Sequence, residues 1–498
     1  MNRWLVQLDS EDEAAVEDAQ RHLRKASPPQ RRELRDLFDQ ATGPRRRRLA
    51  EILGRSLRAE DDALPWLLAA SADADPRVRR PLLRALGRLG GDAAEARLLT
   101  LWRQSRDLPE LRAIARGLTS LGSPAAREAL QSPPLADTEL ERLCREGQVL
   151  GGRAAARSVE GSFVLSRAEV VPRHVVFHVR SGLETLLLEE LQQREPEWRP
   201  HVLGHGRVGA WTTGDLLRLQ RPRLALFFGF PMPEVPSATD ECDAVAQSLT
   251  GRASRELLST RFAGALRYRL EWHGRGHQRA ASLRVAELVR RRWPELVNDT
   301  QNAPWEARIV TSRAGVHVEW VPRGLEDPRF AYRRASVPAA SHPTIAAALA
   351  RLGGVQEHDV VWDPFVGSGT ELAERALLGP YRQLLGTDRD PKALTAAEAN
   401  LRDVTRCSLI LADALEHTPH LRPTLVLTNP PLGRRCPTDV ERLTRRVLER
   451  CAGLLGPDGR LAWITPSAAL RPEGFRTERR FEIDLGGFQG EMQLLRPR

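Results

Sequence analysis

The sequence predicts a multidomain chain with an all-helical first part, a middle α/β module and a C-terminal α/β domain built on a doubly wound, Rossmann-like sheet. Three observations predict it. Apolar residues recur at helical spacing between short breaks up to about Leu150. Strand-like and helical patterns then alternate from Arg173. From Val360 to the end, short apolar runs each finish on a glycine or polar residue and lead into a helix, the order of a sheet that binds ligands outside its strand ends.

Residues 1–150 carry an internal repeat. Arg84-Ala85-Leu86-Gly87-Arg88-Leu89-Gly90 is echoed 32 residues later by Arg116-Gly117-Leu118-Thr119-Ser120-Leu121-Gly122, and an earlier copy ends at Ile52-Leu53-Gly54. Asp75-Pro76-Arg77-Val78-Arg79 has the cap-and-proline start of a helix. The Asp-Pro-x-Val-Arg opening and Leu-Gly ending resemble HEAT-type repeats, which stack into a solenoid with a concave binding face. That resemblance implies a docking arm for RNA or for a protein partner. The arginine run Arg45–Arg48 reads as a solvated helix face.

Residues 151–172 are rich in small residues and read as a linker. The module expected over 173–335 opens on the strand His174–Val179. It continues with the turn Ser181-Gly182-Leu183-Glu184 and the helix Thr185–Leu191. A second α/β pattern follows: a strand Leu266–Trp272, a helix Ser282–Trp293, and strands Ala307–Val310 and Val316–Val321. The last domain, 341–498, begins with the helix Thr344–Leu352. His342-Pro343 just before it reads as a satisfied histidine.

Bulk properties narrow the class. The formal charge is +10, but 73 of the basic residues are arginine and only Lys25 and Lys392 are lysine, so the surplus permits nucleic-acid binding without diagnosing it. No run approaches the roughly 18 apolar residues of a membrane span, and Met1–Ser10 lacks a signal-peptide layout. A cytoplasmic protein is expected. The cysteines, Cys144, Cys242, Cys407, Cys436 and Cys451, lack metal-ligand spacing and fit reduced thiols. No metal is expected.

The chemistry concentrates at four strand ends. Val360-Val361-Trp362 runs into Asp363-Pro364-Phe365-Val366-Gly367-Ser368-Gly369-Thr370 and a helix Glu371–Leu378. Glycine lets backbone approach a ligand, and the helix start offers free N–H groups. The strand Gln383–Leu385 ends at Gly386-Thr387-Asp388, where Asp388 is placed to accept ribose hydroxyls or to cap a helix, with Asp390 a competitor for the ribose role. The strand Ser408–Leu411 ends at Asp413, placed to accept from an adenine amino group. The strand Leu425–Leu427 leads to Asn429-Pro430-Pro431-Leu432-Gly433. Two prolines fix that corner and remove two backbone donors. An asparagine amide beside a free carbonyl can then grip an exocyclic NH2 group.

Together the two motifs resemble the amino-methyltransferases that use S-adenosyl-L-methionine. The Asp-Pro-x-x-Gly-Ser-Gly-Thr form is most similar to the THUMP-containing class I RNA guanine-N2 methyltransferases. His178-Val179-Arg180-Ser181-Gly182-Leu183-Glu184 resembles that family's opening strand and turn. Tyr332-Arg333-Arg334 resembles its lead-in to the catalytic domain. The resemblance implies that Gly367 and Gly369 hold the methionine part of the cofactor, Asp388 its ribose and Asp413 its adenine. Asp363, Phe365, Ser368 and Thr370 complete the loop, while Asn429, Pro430, Pro431 and Leu432 face the target base. It implies a tRNA or 23S rRNA substrate. Leu432 departs from the pattern, because the family usually places there an aromatic that stacks on the base, an interaction worth about 1–3 kcal/mol. Adenine-N6 and protein-glutamine methylation share the Asn-Pro-Pro loop, and a cofactor-binding scaffold with weak turnover is a third reading.

Overall fold

A computed structural model describes all residues except 1, 158, 237–239, 275, 277, 302, 312–314, 339, 432–439, 466–471 and 488. It divides into two compact units: Met1–Ser162 with Pro233–Val318, and Phe163–Met232 with Glu319–Arg498. No helix among the described residues is long and apolar enough to cross a membrane.

The first unit is helical from Asn2–Gln7 to Thr138–Arg157. Asp75 caps the helix Pro76–Leu89 by accepting from the Arg77 N–H, the start that the Asp-Pro pair predicts. The helices Gly43–Ser56, Pro76–Leu89, Leu108–Leu121 and Thr138–Arg157 lie side by side in that order. Small residues allow the close approach. A β-carbon at Gly87 would stand 2.1 Å from the Gly117 carbonyl oxygen, one at Gly54 2.7 Å from that of Pro81, and one at Gly147 2.3 Å from Thr119 Oγ1. A mid-helix glycine costs roughly 0.5–1 kcal/mol relative to alanine. In return the closely packed helices fully bury Leu53, Leu82, Leu83, Leu86, Leu98, Ile114 and Leu118. That burial outweighs the cost, at roughly 1.5–3 kcal/mol per large apolar side chain. The last helix runs to Arg157, into the stretch expected to be irregular from Gly151. Its end is anchored because Arg157 ion-pairs with the fully buried Asp299, which also takes Arg267 at 3.2 Å. The same unit holds the helices Glu241–Thr250, Arg252–Arg261 and Arg279–Arg292 and the parallel strands Arg267–Trp272 and Trp305–Thr311.

In the second unit, Arg173–His178 pairs antiparallel with Arg207–Thr212 and Phe227–Pro231. The Gly-Leu-Glu turn is pinned by its own Glu184, whose carboxylate accepts from Gly182 N–H at 2.8 Å and Gly206 N–H at 2.6 Å. Gly182 adopts φ +95°, and a β-carbon there would stand 1.7 Å from the Glu482 carbonyl oxygen, so only glycine lets the turn meet the strand Phe475–Asp484.

The remainder of this unit is a seven-stranded sheet. Taking strands in chain order from Val360–Asp363, the spatial order is third, second, first, fourth, fifth, seventh, sixth. The first five are parallel, and the last two form an antiparallel hairpin. Val360–Asp363, Leu425–Thr428 and Arg460–Thr465 are buried throughout, as expected of parallel strands covered on both faces. The order reverses between the first and fourth strands, so the ligand crevice lies outside Asp363 and Thr428. At the opposite end of the sheet, Asp359 is fully buried. It accepts from Arg375 Nη2 at 2.8 Å and Thr424 Oγ1 at 2.9 Å, and pairs with Arg460.

Candidate active site

The glycine loop is shaped from beneath. Asp363 is fully buried. Its Oδ1 accepts from Phe365 N–H at 3.0 Å and Thr428 Oγ1 at 2.8 Å, which ties the ends of the first and fourth strands together. Its Oδ2 is buried with no partner among the described residues. Burial, then the charge of Glu371, raises this carboxyl well above its usual range. Gly367 and Gly369 adopt φ +51° and +78°. A β-carbon at Gly367 would meet nothing nearer than 3.9 Å, so that corner opens outward. One at Gly369 would stand 2.8 Å from Leu401 Cδ1 as the helix Thr370–Leu378 begins. The Ser368 and Thr370 hydroxyls lie 3.1 Å apart and are buried. Phe365 is half-buried.

The two candidate ribose acids have different jobs. Asp390 caps the helix Pro391–Leu401 through Lys392 N–H at 2.9 Å. Asp388 ends the second strand, and its Oδ2 accepts from Gly367 N–H at 3.0 Å, so it borders the glycine loop directly. Asp413 is exposed, and its Oδ1 accepts from Leu415 N–H at 2.9 Å.

Asn429 follows the fourth strand, next to buried Pro430 and half-buried Pro431. Its Nδ2 donates to Ser341 Oγ at 2.9 Å, and Ser341 Oγ donates to Glu371. With its one hydrogen committed, the serine oxygen accepts, which turns the amide NH2 toward it. Asn429 Oδ1 is left buried without a partner among the described residues. A buried lone acceptor is costly unless something supplies a donor. Leu432, Gly433 and Cys436 lie outside the described residues.

The sequence reading missed Ser341, Glu371 and Asn400. Asn400 Nδ2 donates to the Ser368 carbonyl at 2.8 Å, and its Oδ1 accepts from Arg334 N–H at 2.7 Å and Ala335 N–H at 2.9 Å, so it clamps the lead-in segment to the glycine loop. A buried asparagine late in an alanine-rich helix was the available signal, since the residue disfavours helix interiors. His342 caps the helix Pro343–Gly353, as a satisfied histidine should. Burial, then the charges of Arg180, Arg333 and Arg329, pushes it down to about 4, so it is neutral at pH 7. The described residues contain no cluster of three metal-ligating side chains.

A glycine loop that opens outward at Gly367, an acid ending the adjacent strand and an Asp363 carboxyl oxygen with no partner among the described residues fit the methionine, ribose and ammonium groups of S-adenosyl-L-methionine. Fold and site thus define a class I methyltransferase. Residues 331–482 match a family model described as RMKL-like, methyltransferase domain. The tRNA (guanine(6)-N2)-methyltransferase of Thermus thermophilus is 30% identical over 328 residues, which cover 61% of this chain and 94% of that protein. The tRNA (guanine(10)-N2)-dimethyltransferase of Methanothermobacter thermautotrophicus is 28% identical over 134 residues, 26% of this chain and 39% of that protein. The crystal structure of TrmN from Thermus thermophilus matches with a TM-score of 0.54 at 25% identity, covering 65% of this chain and 99% of that one. SMU.472 complexed with SAH shares the fold, with a TM-score of 0.52 at 16% identity over 66% of this chain and 99% of that one. The chain belongs to the class I RNA guanine-N2 methyltransferase family. It is an S-adenosyl-L-methionine-dependent RNA methyltransferase.

Proposed function

We propose that this chain methylates the exocyclic N2 of a guanine in tRNA or 23S rRNA, in the cytoplasm. Residues 1–157 would act as a HEAT-like arm, 173–335 would supply a THUMP-like RNA-binding module and 341–498 the catalytic domain. The observation that carries the reading is the oriented Asn429 Oδ1, which has no partner among the described residues.

S-adenosyl-L-methionine supplies an electrophilic methyl carbon. Asn429 Oδ1 and the Pro430 carbonyl accept from the target NH2, which fixes the nitrogen and strengthens as positive charge develops on it. Ser341 and Glu371 hold the amide in that orientation. Positioning and exclusion of water supply the rate. Gly367, Ser368, Gly369 and Thr370 shape the cofactor cradle with Phe365 at its rim, Asp388 takes ribose hydroxyls, Asp413 the adenine amine and Asp363 Oδ2 the ammonium. Pro431 borders the base, which must be presented unstacked.

The test is methyl transfer from labelled S-adenosyl-L-methionine to unmodified tRNA and rRNA transcripts by the purified chain. Label in N2-methylguanosine supports the reading. Label in N6-methyladenosine, or none alongside tight S-adenosylhomocysteine binding, overturns it.

A further inference from the structure

The helical unit segregates its arginines into two kinds. Those at the inter-repeat turns are neutralised in a regular series: Arg46 with Asp73 at 2.7 Å, Arg79 with Glu110 at 2.7 Å and Arg112 with Asp137 at 2.8 Å. A second row is only partly neutralised, with two carboxylates of the described residues shared among six arginines. Arg55 follows Gly54, Arg88 follows Gly87 and Arg116 precedes Gly117, where successive helices approach closely. Arg55 and Arg88 line one cleft, and Arg55 and Arg116 both act on Arg84. Arg24, Arg58 and Arg84 join them. Glu51 meets Arg55 at 2.8 Å and Arg84 at 3.4 Å, and Glu139 lies 3.9 Å from Arg116 but is shared with Arg142. Arg58 and Arg88 form no ion pair among the described residues. Their guanidinium groups reach only backbone carbonyls, those of Arg55 and Leu57 for Arg58 and of Gly54 for Arg88.

Crowding is visible in the charges themselves. Burial, then Arg58 and Arg84, lowers Arg88. Burial lowers Arg84 most, Glu51 opposes it, and Arg116 and Arg55 lower it further. An open cleft of about 460 Å³ sits on this row, lined by Arg55, Leu57, Arg58, Ala59, Arg88 and Leu89, with three guanidinium groups and no carboxylate. Like charges held this close repel one another, and a polyanion that spans them relieves the repulsion. Guanidinium forks match phosphate oxygens. The cleft offers no exposed aromatic or large apolar anchor of the kind that dominates protein interfaces.

We propose that the row Arg24, Arg55, Arg58, Arg84, Arg88 and Arg116 is a docking surface for the sugar–phosphate backbone of the RNA substrate, which it holds without reading bases. The proposal rests on the RNA-substrate reading above. It places the arm as a source of substrate affinity rather than of chemistry.

The test uses the full chain with Arg55→Gln, Arg88→Gln and Arg116→Gln combined, all at exposed positions. Filter binding of tRNA should weaken by about tenfold or more, and the slope of log affinity against log salt should fall by about 2–3, roughly 0.7–0.9 for each phosphate no longer neutralised. KM for tRNA should rise with kcat and S-adenosylhomocysteine affinity unchanged, and the matching Arg→Lys triple should regain most of the loss. Unchanged RNA affinity and salt slope in a variant that melts like wild type overturn the proposal and hand the row to an acidic protein partner. A destabilised triple is replaced by the pair Arg58→Gln and Arg88→Gln under the same criteria. If the wild-type chain binds tRNA but methylates none, the methylation reading fails while the binding measurement still decides the row.

Discussion

Replacing Asn429 by alanine separates chemistry from cofactor binding. Among the described residues the Asn429 side chain makes one hydrogen bond, from Nδ2 to Ser341 Oγ at 2.9 Å, and Oδ1 has no partner. The folded protein therefore loses about 1 kcal/mol, or roughly 2–4 °C in melting temperature for a domain of this size. The transition state loses more. A hydrogen bond to a group acquiring charge is worth about 1.5–3 kcal/mol, and removal of one oriented partner from a dry site costs roughly 10²–10³ in kcat. The expected result is a kcat about 10²-fold lower, with S-adenosylhomocysteine affinity within about twofold of wild type, since Gly367, Gly369 and Asp388 are untouched. Single-turnover methyl transfer to tRNA, paired with calorimetric titration of S-adenosylhomocysteine, measures both. A kcat within about threefold of wild type, or cofactor affinity falling in step with kcat, would refute the amine-gripping role and make the loop structural.

Ser341→Ala should lower kcat about tenfold through the freed amide while leaving cofactor affinity intact, as the same pair of assays would read. Gly369→Ala forces a β-carbon to 2.8 Å from Leu401 Cδ1 at φ +78°, and the left-handed penalty alone is about 1–2 kcal/mol. Titration should find S-adenosylhomocysteine bound at least tenfold more weakly. Burial pushes the Asp359 carboxyl up, but hydrogen bonding from Arg375 and the charge of Arg460 outweigh it and hold the group below 3.8. Its stabilising contribution is present above that unfolded value and lost as pH falls through the lower folded one. Asp359→Asn should destabilise by about 3–5 kcal/mol in denaturant melts by stranding two buried arginines. His342 falls to about 4 from 6.5, so its contribution is full above pH 6.5 and is lost between pH 6.5 and about 4. His342→Asn, which keeps a capping side chain, should flatten the pH dependence of melting in that window.

What the sequence revealed was local. The turns Asp363–Thr370 and Asn429–Pro431 are written in glycine and proline, whose backbone rules hold without tertiary context. The strand and helix bounds near them accordingly agree to within one to three residues. Asp388 is favoured over Asp390 by its place directly after the strand, and the fold adds that Gly367 N–H bonds to Asp388 while Asp390 caps the next helix. Ser341 and Glu371 were silent because their partners lie 88 and 30 residues away in the chain. The helix through Arg157 was hidden for the same reason. Glycines and alanines read as a linker until the Arg157–Asp299 pair, 142 residues apart, holds them. The arginine row was likewise visible only as composition, since its segregation depends on which helices touch.

Nucleoside mass spectrometry of total tRNA and rRNA from a strain lacking this chain tests the central claim most directly. The account predicts N2-methylguanosine lost at one position and restored by the wild-type chain but not by Asn429→Ala. N2-methylguanosine unchanged at every position would contradict it.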